Sequence, residues 1–178
     1  MMWVKSVFAI ILPVIFFFSS QALLAQEAQA YCASEEYRRL DFWVGTWKVS
    51  WGSGDQAGEG TNVISRSLDN CVIQEQFDGG VISGQHFKGM SISIFDSREQ
   101  QWRQTWMDNQ GGFFDFYGQD LGDEFVFQTR QSVKKPGVLL RMLFTDIKKD
   151  SLTWRWQKSE DLGNEWKDLW VISYKRIK

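Results

Sequence analysis

Trp154 and Trp156 stand two residues apart in the segment LTWRW. Only an extended strand puts such a pair on one face, because side chains repeat every two residues in a strand and every 3.6 in a helix. The other tryptophans widen the constraint. Trp43, Trp47 and Trp51 are spaced by four, as are Trp102 with Trp106 and Trp166 with Trp170. That spacing also suits a helix, but flanking β-formers and turn residues decide for strands.

Short alternating runs continue along the chain. They predict strands at 45–51, 58–66, 71–78, 87–95, 101–107, 112–118, 123–130, 137–145, 151–158 and 165–176. Turn chemistry separates them: Gly52-Ser53-Gly54-Asp55, Asp69-Asn70, Asn109-Gln110-Gly111-Gly112, Lys135-Pro136-Gly137 and Gly163-Asn164. Ahead of the strands, EEYRRLDF at 35–42 makes one or two helical turns, with Ser34 as N-cap. The expected fold is all-β, an antiparallel up-and-down β-barrel of about 8–10 strands with a short N-terminal helical turn.

Hairpin register follows from keeping the aromatic faces together. A turn around 146–150 sets Phe144 opposite Leu152, Met142 opposite Trp154 and Leu140 opposite Trp156. A turn at 109–111 sets Trp106 opposite Phe114 and Gln104 opposite Phe116. A turn near 159–163 sets Trp156 opposite Trp166 and Trp154 opposite Asp168. The three hairpins share one aromatic-aliphatic face, which is read as the interior; Asp115 falls diagonal to Arg103 on the other face, as a surface ion pair.

The N-terminus reads as a targeting segment. Lys5 is followed by an apolar run from Val7 to Phe18, about 12 residues against the roughly 20 needed to span a bilayer. Cleavage is expected after Ala25 or Ala30. This predicts a signal peptide over 1–30, a single domain over 31–178 and a periplasmic or secreted location, with no stable membrane span once the signal is removed. Cys32 and Cys71, both in the mature part, are expected to pair in an oxidising compartment. A net charge of −2 and the absence of a long basic run argue against nucleic acid as a partner.

At FWVGTWKVSW, Gly45-Thr46-Trp47 opens the first strand just after the helical turn. It resembles the Gly-x-Trp motif of the calycin superfamily, the lipocalins and fatty-acid-binding proteins. The resemblance implies that Trp47 plugs one end of a lipocalin-like barrel, with Gly45 beside it and Arg176 of the last strand packed over it. More specifically, LDFWVGTWKV, WRQTWMDNQGG and EWKDLWVISYKR look like an uncharacterised family of secreted bacterial lipocalin-like domains, across nearly the whole mature chain. The nitrobindin-like haem proteins, a neighbouring branch, take an iron ligand from a C-terminal histidine. The one histidine here is His86, read as a solvated loop residue. Haem is therefore not expected, nor any other cofactor or metal.

Polar residues in phase with the aromatic face are the candidate ligand contacts. Gln104 and Asp168 qualify, beside Trp106, Trp154 and Trp156. A buried carboxylate at Asp168 needs a partner such as Arg176, or a wet cavity. Arg141 and Arg155 fall nearly opposite each other on the non-aromatic face, where like charges repel. Surface carboxylates answer that, or an anion site if that face were inward. Glu75 and Gln74 take opposite faces, and the alternation leaves open which points in.

Three functions compete. A barrel binding a small hydrophobic or aromatic molecule leads, from the Gly-x-Trp opening and the aromatic inner face. A calycin-type enzyme of isomerase-like acid–base chemistry would depend on Asp168 or Glu75; no catalytic residue is assigned, because the sequence offers no nucleophile–histidine pair, metal cluster or phosphate loop. A carbohydrate-binding or purely structural secreted domain is third, the former requiring exposed, coplanar indoles such as Trp51, Trp102 and Trp106.

Overall fold

The computed structural model of the protein describes residues 31–82 and 84–177. The expected leader and its two cleavage sites lie outside the described residues. One short helix, α1 (Glu35–Arg38), precedes ten strands: β1 (Gly45–Trp51), β2 (Gly58–Ser67), β3 (Val72–Ile82), β4 (Gln85–Asp96), β5 (Gln101–Asp108), β6 (Phe113–Asp120), β7 (Phe125–Gln128), β8 (Leu139–Lys148), β9 (Ser151–Ser159) and β10 (Lys167–Arg176). Each strand pairs antiparallel with its sequence neighbour, and β1 pairs with β10 to close the barrel. Closure gives every strand a neighbour on both sides, with short seams at β1–β10, where Trp47–Ser50 pair with Ser173–Arg176, and at β6–β7, where Tyr117–Asp120 pair with Phe125–Gln128.

Antiparallel order gives the barrel two different ends. The β2–β3, β4–β5, β6–β7 and β8–β9 turns sit at one end with α1, and the other turns ring the opposite end. The first end is plugged. Leu40, Trp43 and Trp47 are fully buried there with Phe125, Phe127 and Phe144, and Trp43 meets Phe144 edge-on at 5.1 Å. The Trp47 indole N–H donates to the Trp43 carbonyl at 2.7 Å. The Arg176 guanidinium lies 4.0 Å over the Trp47 ring and donates to the carbonyls of Val44 (2.6 Å), Phe42 (2.9 Å) and Lys149 (2.8 Å). One cation thus closes the junction of three chain segments. Gly45 has φ +142°, and a Cβ there would overlap the guanidinium, so the glycine is what lets Arg176 lie across the opening.

A disulfide joins Cys32, ahead of α1, to Cys71 in the β2–β3 turn, 39 residues apart in sequence. It pins the plug segment to the same end that Trp47 and Arg176 close. Arg66 reinforces this, donating to Asp41 and to the carbonyls of Tyr37 (3.0 Å) and Asn70 (2.5 Å).

Local details depart from the sequence reading. α1 makes the shorter of the expected one or two turns, ending at Arg38, and the Ser34 side chain caps no backbone N–H, bonding instead to Glu36 at 2.6 Å. Trp43 belongs to the turn before β1, so only Trp47 and Trp51 share that strand. In the β8–β9 hairpin an irregularity after Thr145 shifts the pairing by two: Phe144 faces Trp154 and Met142 faces Trp156. The aromatic faces survive because the shift is even. The β5–β6 hairpin has Trp106 opposite Phe114 and Gln104 opposite Phe116. Asp115 accepts from Thr105 at 2.8 Å, while Arg103 lies 4.2 Å over the Tyr117 ring, so these two do not form the expected ion pair.

β10 departs furthest from the alternation expected of it. Asp168 pairs with Gln157 and Trp170 with Trp156, which makes Leu169 the extra residue of a β-bulge. An inserted residue reverses the alternation. Trp170 points inward, while Asp168 and Trp166 lie on the outer side. Trp156 faces Trp170 rather than Trp166, and Trp154 faces Ile172 rather than Asp168.

Candidate functional site

Above the plug, the barrel interior opens into a cavity of about 160 Å³. Its upper wall, toward the unplugged mouth, carries Phe87, Trp106, Asp108, Phe114, Trp156 and Trp170; the lower part carries Glu75, Phe116, Met142, Trp154, Ile172 and Tyr174, with Phe77 between. The rings contact one another edge-to-face: Phe77 with Trp170 at 6.0 Å, Trp154 with Trp170 at 6.1 Å and Phe114 with Trp156 at 5.5 Å. These edge-to-face contacts hold the rings of the cavity wall against one another.

Two carboxylates interrupt the apolar wall. Asp108 is the last residue of β5. Its Oδ1 accepts from the backbone N–H of Gln110 (2.9 Å) and Gly112 (2.8 Å), and its Oδ2 from the Trp106 indole (3.1 Å). The β5–β6 turn and a cavity wall are therefore held by one side chain. Trp106 also needs Gly89 across on β4, where a Cβ would run into its six-membered ring.

Glu75 lies deeper and is buried. Oε1 accepts from the Asn62 amide and Oε2 from the Ser91 hydroxyl, each at 2.6 Å. The same Asn62 amide donates to the Tyr174 hydroxyl at 2.9 Å. Among the described residues no cation reaches the Glu75 carboxylate. Burial pushes it up to about 7, against the two hydrogen bonds that favour its charged form. Tyr174 is raised well above the ordinary phenol value, by burial first and by the Glu75 charge second. Glu75 can therefore hold or release a proton near neutrality, whereas Tyr174 stays a neutral hydroxyl.

The candidate residues divide by face. Trp106, Trp154 and Trp156 line the cavity. Gln104 is inward and buried, but it donates to Ser93 across the β4–β5 pair at 2.9 Å, below the cavity wall. Arg141 and Asp168 are outside. Arg141 stacks 4.0 Å over Trp166 and donates to Gln157 at 2.6 Å; Gln157 donates to Asp168 at 2.7 Å, and Arg155 pairs with Asp168 at 2.6 Å. Arg155 stands opposite Leu143, two places from the expected partner Arg141. Asp168 supplies the negative charge that lets both arginines share one outer face. Gly45, Trp47 and Arg176 form the plug end, and His86 is exposed beside Asp78 at 2.5 Å, outside the cavity wall.

Asn62, Ser91 and Tyr174 escaped the sequence reading. Ser91 is hidden by an inversion on β4: in Ser91-Ile92-Ser93-Ile94 the serines are fully buried and the isoleucines are exposed. Apolarity alone assigns the opposite faces. Only the phase from Phe95, which is buried, reveals the inward set.

Among the described residues no group of His, Cys, Asp and Glu has the arrangement of a metal site, and no helix is long and apolar enough to cross a membrane. No protein-family model and no curated protein matches the chain. Among solved structures, a redesigned β-barrel is similar over 79% of this chain and 96% of its own, with 10% identity and a TM-score of 0.40.

Proposed function

We propose that the protein is an exported small-molecule-binding barrel whose interior takes an apolar or aromatic ligand of about one ring in size. The supporting observation is the cavity itself: about 160 Å³, walled mainly by aromatic side chains and closed below by Trp47 and Arg176. A cavity of about 150 Å³ lined by apolar side chains is large enough for benzene, whereas sites for drug-sized ligands run to about 300–1,000 Å³. Long-chain acids and retinoids, the usual occupants of lipocalin-like barrels, exceed this volume. The calycin resemblance of Gly45-Thr46-Trp47 agrees with a binding role, as the plugged end gives the barrel a floor.

The tryptophans support an internal site over a sugar-stacking surface. Trp102 is buried with its N–H on the Glu36 carbonyl at 3.1 Å, and Trp51 meets Trp170 edge-on at 5.1 Å, so the two do not form a flat exposed platform with Trp106. Of the two acids considered for catalysis, Asp168 is outside and Glu75 alone reaches the cavity. Export is supported by the Cys32–Cys71 disulfide, which persists in oxidising compartments.

The test is intrinsic fluorescence. Titration with toluene, indole and phenol is expected to quench or shift the emission of Trp106, Trp154, Trp156 and Trp170 with saturation, and palmitate to do so more weakly. No saturable change with any single-ring compound would reject the proposal.

A further inference from the structure

We infer that the cavity selects a small organic cation, an aryl or arylalkyl ammonium, whose ring lies among the tryptophans and whose charge meets Glu75. The inference rests on the small-molecule-binding reading above and specifies its ligand class.

Three observations carry it. The first is the charge of the lining: Glu75 and Asp108 are both acids, and among the described residues no lysine, arginine or histidine contributes to the wall. A barrel built for a carboxylate ligand needs an inward cation, and Arg141, Arg155 and Arg176 are all engaged elsewhere, on the outer face or across the plug. The second is the incomplete partnering of Glu75. Each oxygen takes one hydrogen bond from a neutral donor, although a carboxylate can accept about four. A buried carboxylate without a counter-charge is costly, and a cation arriving beside it removes much of that cost. Asp108, by contrast, is already held by three donors and adds field rather than a contact.

The third observation is the wall chemistry. Indole faces attract cations through the ring quadrupole, more strongly when the site is desolvated, and cages of aromatic rings are a known solution for ammonium ligands. Trp106, Trp154, Trp156 and Trp170 line the same cavity as Glu75. An anion would meet the same faces and both carboxylates with repulsion. A neutral ring gains only the apolar contacts.

The experiment compares three probes of one shape on the oxidised mature protein: benzylammonium, benzyl alcohol and benzoate, followed by calorimetry or tryptophan fluorescence. Benzylammonium is expected to bind at least tenfold more tightly than benzyl alcohol, with benzoate weakest. Glu75→Gln is expected to bring benzylammonium to within about threefold of the alcohol, and an unchanged circular dichroism spectrum shows that the variant is folded. Equal or tighter binding of the alcohol or of benzoate by the parent protein overturns the cation preference but leaves the small-molecule site standing. A preference that survives Glu75→Gln overturns the role of that residue. If none of the probes binds, nor toluene, the site itself is rejected and the inference falls with it.

Discussion

Glu75 shows how one residue's surroundings set its properties. It shares β3 with Gln74, which takes the opposite face. Inside, Glu75 is raised from 4.5 to about 7 by burial. Between these pH values the unfolded chain releases its proton and the folded chain keeps it, so the unfolded state is favoured as pH rises; below pH 4.5 both are protonated, and above pH 7 both are charged. The group therefore lowers stability by about 3 kcal/mol across that window. Glu75→Gln keeps an acceptor for Asn62 and does not titrate. Urea denaturation at pH 5 and pH 8 is expected to show the variant more stable at pH 8, with most of the parent's decline removed; an unchanged decline would place the titrating group elsewhere. Tyr174, which faces Glu75 through Asn62, remains protonated over this range and does not contribute.

At the scale of elements, the bulge in β10 decides what the barrel wall presents. Trp166 and Trp170 differ by four residues and would share a face in an unbroken strand. Leu169, 55% exposed, breaks the phase between Asp168 and Trp170. Trp170 therefore packs on Trp51, Phe77 and Trp154 in the interior, while Trp166 receives Arg141 outside. Removing a large internal ring costs about 3 kcal/mol or more, whereas an outer cation–π contact contributes about 0.5–1 kcal/mol. Trp170→Ala is expected to lower the urea midpoint several times more than Trp166→Ala. Equal losses would mean that the two rings occupy equivalent positions on one face of an unbroken strand. The inverted β4 pattern belongs to the same scale: a strand's phase is a single choice for all its residues, and Phe95 with the Glu75–Ser91 bond outweighs the preference of two isoleucines for the core.

For the whole molecule, one end is closed three times over, by Trp47 under Arg176, by α1 and the turn after it, and by the Cys32–Cys71 link. Closing a loop of this length stabilises a fold by about 4 kcal/mol on the chain-entropy estimate. The double variant Cys32→Ser, Cys71→Ser is expected to lose most of that in urea denaturation while keeping the far-ultraviolet signature of the barrel; a loss below about 1 kcal/mol would show the N-terminal segment to be held by packing alone. The residues themselves determined a great deal. A barrel of about 8–10 strands, its up-and-down order and the approximate place of each strand follow from alternation and turn chemistry, which are local. The Cys32–Cys71 link followed from there being only two cysteines, and the plug of Trp47 and Arg176 from the Gly-x-Trp resemblance. What only the tertiary structure decided is which polar residues face inward. Asp168 went out, and Glu75, Asn62 and Ser91 came in. The physical reason is that facing has a period of two, so a single bulge or a single strand's phase reverses it, and those depend on pairing around a closed sheet rather than on any one segment.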